Sequence, residues 1–148
     1  MKFSAQEEYG IRCLIRLAKE YEDSKSLTIP EISQAENVPQ HTIAKILREL
    51  RLGGFVDAER GFSGGYTLTR APEKIIVGDV FRALGGQLFD DSFCRSHSGA
   101  ASICTNSVDC SVRSLWTLIQ KSVDSVIDAM TLKDLMVSEE DVFSKITF

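Results

Sequence analysis

Residues 28–69 read TIPEISQAENVPQHTIAKILRELRLGGFVDAERGFSGGYTLT. Thr28-Ile29-Pro30-Glu31 opens a helix as a capping box, in which the Thr28 hydroxyl takes an orphan amide and the Glu31 carboxylate reaches back. Pro30 is tolerated because it falls in the first turn. Ile32 and Ala35 are expected to face inward. Asn37-Val38-Pro39 ends this helix and opens the next, which runs to about Leu52. There Ile43, Ile46, Leu47 and Leu50 recur at helical spacing as one apolar face. Gln40, His41, Ala44, Lys45, Arg48 and Arg51 occupy much of the rest. Two short helices about a tight turn, the second with a polar face, make a helix-turn-helix. Gly53-Gly54 stops it. Phe55 to Glu59 reads as a strand, residues 61–65 as a glycine-rich turn, and Tyr66 to Thr69 as the returning strand. A hairpin directly after a helix-turn-helix is a wing. The expected fold class is mainly α with a small β-hairpin wing, a winged helix-turn-helix.

Outward from this stretch the pattern stays helical. Tyr9, Cys13, Leu14, Leu17, Ala18 and Tyr21 predict a helix from about Ser4 to Tyr21, with Ser4 as its cap. After the wing, Pro72 breaks the chain, and Val77 to Leu84 forms a short helix stopped by Gly85-Gly86. A cysteine-bearing loop covers about Asp90 to Asp109. A long helix follows from about Cys110 to Met130. Its apolar positions Val112, Trp116, Ile119, Val123, Val126 and Met130 step by four and three, the seam of a coiled coil. That seam predicts a homodimer, with packing onto the same domain as the alternative. Thr131 to Val137 reads as a brief final helix and the rest as a tail. The domains are then 1–88, a winged helix-turn-helix; 89–109, a cysteine-rich cluster-binding loop; and 110–148, a dimerisation helix and C-terminal tail.

With 148 residues, 43% apolar and 26% charged, the chain has the composition of a soluble protein. No apolar run approaches a membrane span, and the N-terminus reaches Glu7 and Glu8 without the apolar stretch of a signal peptide. The expectation is a cytoplasmic protein with no membrane partner, whose four cysteines are metal ligands or redox thiols. The net charge of −4 argues against a nonspecific coat on nucleic acid. Locally the balance differs. Residues 38–70 carry five basic against three acidic side chains, and residues 121–148 carry three against six.

Cys94, Cys104 and Cys110 lie among small and polar residues that bury little apolar surface, so packing does not explain them. Three thiolates on one loop can fold around a soft metal centre. Zinc held with His97, or a metal-free thiol–disulfide switch, are the alternatives. Cys13 sits on an apolar stripe and reads as a small buried hydrophobe. No nucleophile–base pair, phosphate loop or carboxylate pair is evident, so no enzyme and no small-molecule substrate is expected. Double-stranded DNA is the expected partner. Gln40, His41, Thr42, Lys45 and Arg48 have the position and reach for the major groove. Arg60, at the base of the wing turn, suits a narrow minor groove. Gly64 and Gly65 let the backbone approach phosphates.

Arg60-Gly61-Phe62-Ser63-Gly64-Gly65-Tyr66 resembles the RGxxGGY wing signature of the IscR/NsrR family of bacterial winged-helix regulators. Met1-Lys2-Phe3-Ser4 and Cys110-Ser111-Val112-Arg113-Ser114-Leu115-Trp116 are also similar to members of that family, and the likeness spans nearly the whole chain. It implies a homodimeric repressor or activator on a palindromic operator. Its loop cysteines would hold a [2Fe–2S] or [4Fe–4S] cluster that senses iron–sulfur status, redox state or nitric oxide. Two features depart from the family. The cysteines are more widely spaced, and the usual histidine three residues after the last cysteine is Arg113, which has no lone pair to offer iron. Candidates for the fourth ligand are Glu8, His97, Asp109 and Asp91. Some relatives use an acidic residue at the head of the first helix, contributed by the partner subunit, and Glu8 matches that place.

Overall fold

The computed structural model describes residues 3–61 and 64–145. Its elements are α1 (Ala5–Lys19), α2 (Ile29–Glu36), α3 (Gln40–Leu52), β1 (Val56–Ala58), β2 (Tyr66–Leu68), α4 (Val77–Ala83), α5 (Asp91–Ser96), α6 (Ser111–Ile127) and α7 (Glu139–Lys145). Short 3-10 turns cover Pro72–Lys74 and Leu132–Leu135.

The caps work as their sequences require. Ser4 and Glu7 form a capping box on α1, and Thr28 and Glu31 form one on α2. Glu7 is buried at the head of α1, beside the exposed Glu8. Asn37 closes α2 in the left-handed region at φ 53°, where asparagine is tolerated. That sharp stop turns the chain into α3. Ile43, Ile46, Leu47 and Leu50 all face the core with Cys13, Leu14, Leu17, Ile32 and Val80. Ala35 is exposed rather than inward-facing. In this eight-residue helix Ile32 is the one residue that is buried, and the small Ala35 side chain is left short of the core.

β1 and β2 pair antiparallel, with Val56 opposite Leu68 and Ala58 opposite Tyr66. Tyr66 also bridges to Leu27, with Tyr66 N–H donating to Leu27 O at 2.8 Å and Leu27 N–H donating back at 3.0 Å. The root of the wing is thus tied to the segment before α2. A Cβ on Gly65 would stand 2.8 Å from the Leu27 backbone carbon and oxygen. Glycine is needed there for a close backbone approach within the protein. Gly65→Ala is expected to cost about 1–3 kcal/mol of stability, as overpacking does. Urea unfolding with an unchanged slope and a lower midpoint is the check.

The segment after α6 returns to the core. Val77 N–H donates to Met130 O at 2.9 Å, and Leu132 N–H donates to Ile75 O at 2.8 Å. Leu132 is fully buried in the same cluster as Leu14 and Leu47. Arg82 on α4 meets Asp128 at the end of α6 at 2.8 Å. One end of the long helix is therefore fastened to the winged domain. Residues 139–145, read from sequence as tail, form α7: the Ser138 hydroxyl donates to Asp141 at 2.7 Å and accepts from its amide at 3.3 Å.

Candidate nucleic-acid interface and cysteine cavity

α3 buries one face, and the opposite one carries His41, Lys45 and Arg48, spaced four and three residues apart and all exposed. Gln40 is exposed in the first turn and Thr42 is half-buried. Arg60 is exposed at the foot of the wing turn, Gly64 is half-buried and Gly65 buried. Phe62 and Ser63 of the wing signature lie outside the described residues.

The helix-turn-helix is braced from behind. Arg12 and Arg16, one turn apart on α1, both reach Glu36 at the end of α2, at 2.9 and 2.7 Å. Arg12 also donates to the Glu36 carbonyl oxygen at 2.6 Å. Partial burial pushes the Glu36 carboxyl up, but hydrogen bonds and charge from Arg16 and Arg12 outweigh it and hold the group below its ordinary range. Cys13, on the buried side of α1, is apart from the other cysteines. Burial, aided by the Glu36 charge, pushes its thiol up to about 12, which makes it inert.

Cys94, Cys104 and Cys110 line one cavity of about 610 Å³ with His97, Arg113 and Trp116. Different local structure positions each. Asp90 caps α5 by accepting from the Ser92 and Phe93 amides, and Cys94 rides on that helix. Cys110 is itself the cap of α6: its sulfur accepts from the Arg113 amide at 3.2 Å. Cys104 lies on the stretch between, where Arg113 donates twice to Ser107 O at 3.3 Å. Arg113 thus brings positive charge to a wall where three thiolates would bring negative charge. Among the described residues, no three Cys, His, Asp or Glu side chains converge on a single ion position. The cysteines surround a space rather than a point.

Sequence reasoning missed the element that holds this loop to α6. Gln120 is buried on α6, and its Oε1 accepts from the Leu88 amide at 2.8 Å and the Phe89 amide at 3.0 Å. Its Nε2 donates to Asp124 at 2.8 Å. The only sequence signal was a polar residue beside an apolar seam. Phe89, Phe93 and Trp116 pack above it, with ring centres 5.5 and 6.5 Å apart.

The expected dimer seam lies along α6. Val112 is 52% exposed, and Trp116, Ile119, Val123, Val126 and Met130 are half-buried within one protomer. Leu115 and Leu118 widen this apolar surface, at 50% and 63% exposed. Ile119, Val123 and Val126 share an apolar groove with Phe3, Leu118 and Ile127. Glu8 is exposed on α1, 4.0 Å from Arg12, and does not line the cysteine cavity of its own protomer. Asp109 is exposed and does not line it either. The side chain of Asp91 lies outside the described residues.

Residues 3–138 match the family model of Rrf2, described as an iron-dependent transcriptional regulator. The chain belongs to the Rrf2 family. Relatives within it carry the names the sequence motifs pointed to. The chain is 26% identical to the regulator NsrR of Bacillus licheniformis, over 96% of each chain. The solved structure of T. potens IscR superposes with a TM-score of 0.72 at 25% identity, over 100% of this chain and 93% of that one. The regulator CymR of Bacillus subtilis is 31% identical over 91% of this chain and 89% of its own. Its structure, that of the global cysteine regulator of B. subtilis, has a TM-score of 0.72 at 29% identity, over 92% of this chain and 96% of that one. This Rrf2 protein is therefore a winged-helix transcriptional regulator, and its family binds DNA. None of these relatives is an enzyme. Among the described residues no helix is long and apolar enough to cross a membrane.

Proposed function

We propose that this Rrf2 regulator is a cytoplasmic homodimer that binds a palindromic operator, with an affinity set by an iron–sulfur cluster on Cys94, Cys104 and Cys110. The observation that carries the reading is the shared cavity: three cysteines line one space at the foot of α6, and the far end of α6 is bonded to the winged domain. A change in loop order then has a mechanical route to the recognition helices. In a palindromic complex the half-site spacing is set by the DNA, so a small shift between α3 and its copy changes affinity.

Three thiols with an arginine on the same wall fit an anionic sulfur-rich cluster. A single zinc needs four donors within about 2.0–2.3 Å of one point. A cluster spreads its protein ligands over two or more irons, which suits donors arranged around a cavity. The family's description as iron-dependent supports the same reading. When bound, the cluster supplies a centre that reacts with oxidants and nitric oxide. The fourth ligand comes from Glu8 of the partner subunit or from His97 of the same one.

A second reading has support of its own. The likeness to a protein described as a global cysteine regulator favours a cluster-free thiol regulator, and zinc is the third option. Anaerobic purification separates these outcomes. Brown protein with iron and acid-labile sulfide supports the cluster, colourless zinc protein supports zinc, and metal-free protein supports the thiol switch. Operator binding with and without the bound group then tests control.

On DNA, Arg60→Ala is expected to weaken operator binding by about 1–3 kcal/mol, the value of a good groove contact. Lys45→Ala and Arg48→Ala should also weaken it, and a variant that loses only a phosphate contact lowers the salt slope by about one. Titrations at several salt concentrations measure both quantities. Unchanged affinity in all three variants would refute this reading surface.

A further inference from the structure

We propose that His97, through Nε2, is the fourth protein ligand of the cluster, so that one protomer supplies the whole donor set. The inference rests on the iron–sulfur reading above. It starts from helix geometry. Cys94 and His97 are three residues apart at the end of α5, a spacing that puts both side chains on one face of a helical turn. Both line the cavity that Cys104 and Cys110 also line.

The imidazole is already set for ligation. His97 Nδ1 stands 2.8 Å from the Phe93 carbonyl oxygen. A carbonyl only accepts, so Nδ1 carries a proton. In the neutral ring the lone pair is then on Nε2, the nitrogen left for a metal. A backbone carbonyl on the far nitrogen is the usual outer partner of a metal-bound histidine; it holds the ring and raises its basicity. The Phe93 ring stacks on the imidazole with centres 4.1 Å apart and planes 18° apart, which fixes the plane as well as the tautomer.

The competing groups are placed less well. Arg113 occupies the cavity wall but has no lone pair, and its guanidinium is spent on Ser107 O. Glu8 stands outside the cavity of its own protomer, next to Arg12, and can serve only from a partner subunit.

The chain has only two histidines, and the other, His41, is on the recognition helix. Labelling histidine with ¹⁵N therefore gives an assignable signal. The full-length protein, loaded anaerobically and reduced, should show a strongly coupled histidine nitrogen in pulsed EPR. His97→Ala should lose that coupling and release iron about ten- to a hundredfold more readily, at least the loss that follows removal of an outer partner. His97→Cys should recover iron content without the nitrogen coupling. Glu8→Ala should leave coupling and iron unchanged. The apo form of His97→Ala should keep the parent's circular dichroism, which separates ligation from folding. Wild-type protein that loads iron and sulfide without nitrogen coupling, or coupling that persists in His97→Ala, overturns the assignment alone. Loss of iron in Glu8→Ala but not in His97→Ala moves the fourth ligand to the partner subunit. Wild-type protein that takes up no iron or sulfide overturns the cluster reading and the His97 assignment with it.

Discussion

Cys104→Ala protein purified without oxygen is expected to be colourless, with iron and sulfide near background, while remaining folded. Cys104 is the cleanest of the three thiols to remove. Cys110 also caps α6 through the Arg113 amide, so its loss costs part of a helix cap, about 0.5–2 kcal/mol, as well as a ligand. Cys94 sits on α5 beside the aromatic contacts of Phe93. Cys104 lies between elements, with no capping role, so thermal unfolding of the apo variant should match that of the apo parent. Losing one thiolate of three leaves too few soft donors to hold the irons, and the effect should be close to all-or-none. Iron and sulfide analysis with visible absorption measures it. Full cluster content in this variant would remove Cys104 from the ligand set.

The second large effect is expected on assembly. Val123 lines the apolar groove on α6 with Leu118 and Val126. Val123→Glu places an unpaired carboxylate where the proposed seam closes, an uncompensated charge that costs about 3–5 kcal/mol. That is roughly a thousandfold in the dimer dissociation constant. Sedimentation at micromolar concentration should show monomer where the parent is dimeric. Val123 is half-buried in one protomer, so its variant also strains the fold. Leu118→Glu resolves this. Leu118 is 63% exposed in the single chain, so a charge there costs the monomer little and costs a dimer as much. Both variants still dimeric would place the interface elsewhere. Operator binding should fall with dimerisation, because one protomer reads one half-site.

What the sequence determined by itself was local. The Thr28–Glu31 capping box, the inward face of Ile43, Ile46, Leu47 and Leu50, and the two short strands on either side of the glycine-rich turn depend on neighbours close along the chain. Caps, the helical period and glycine turns are physics of that range. The same local physics acts at Asp90, which caps α5, and at Ser138, which opens α7, in stretches read from sequence as loop and tail.

The tertiary structure alone decided the rest, because it rests on pairings between distant residues. Leu132 reaches the core only through its bond to Ile75, more than fifty positions earlier. Gln120 is buried only because the Leu88 and Phe89 amides come to meet it. A glycine at position 65 is required by the approach of the Leu27 backbone, which no local pattern announces. The three cysteines were visible as a group in the chain, but their chemistry suited a metal ion, a cluster or a disulfide equally. That Cys94, Cys104 and Cys110 meet His97 and Trp116 around one cavity arises from how α5 and α6 close over the loop. Spacing along a polar segment does not contain that arrangement.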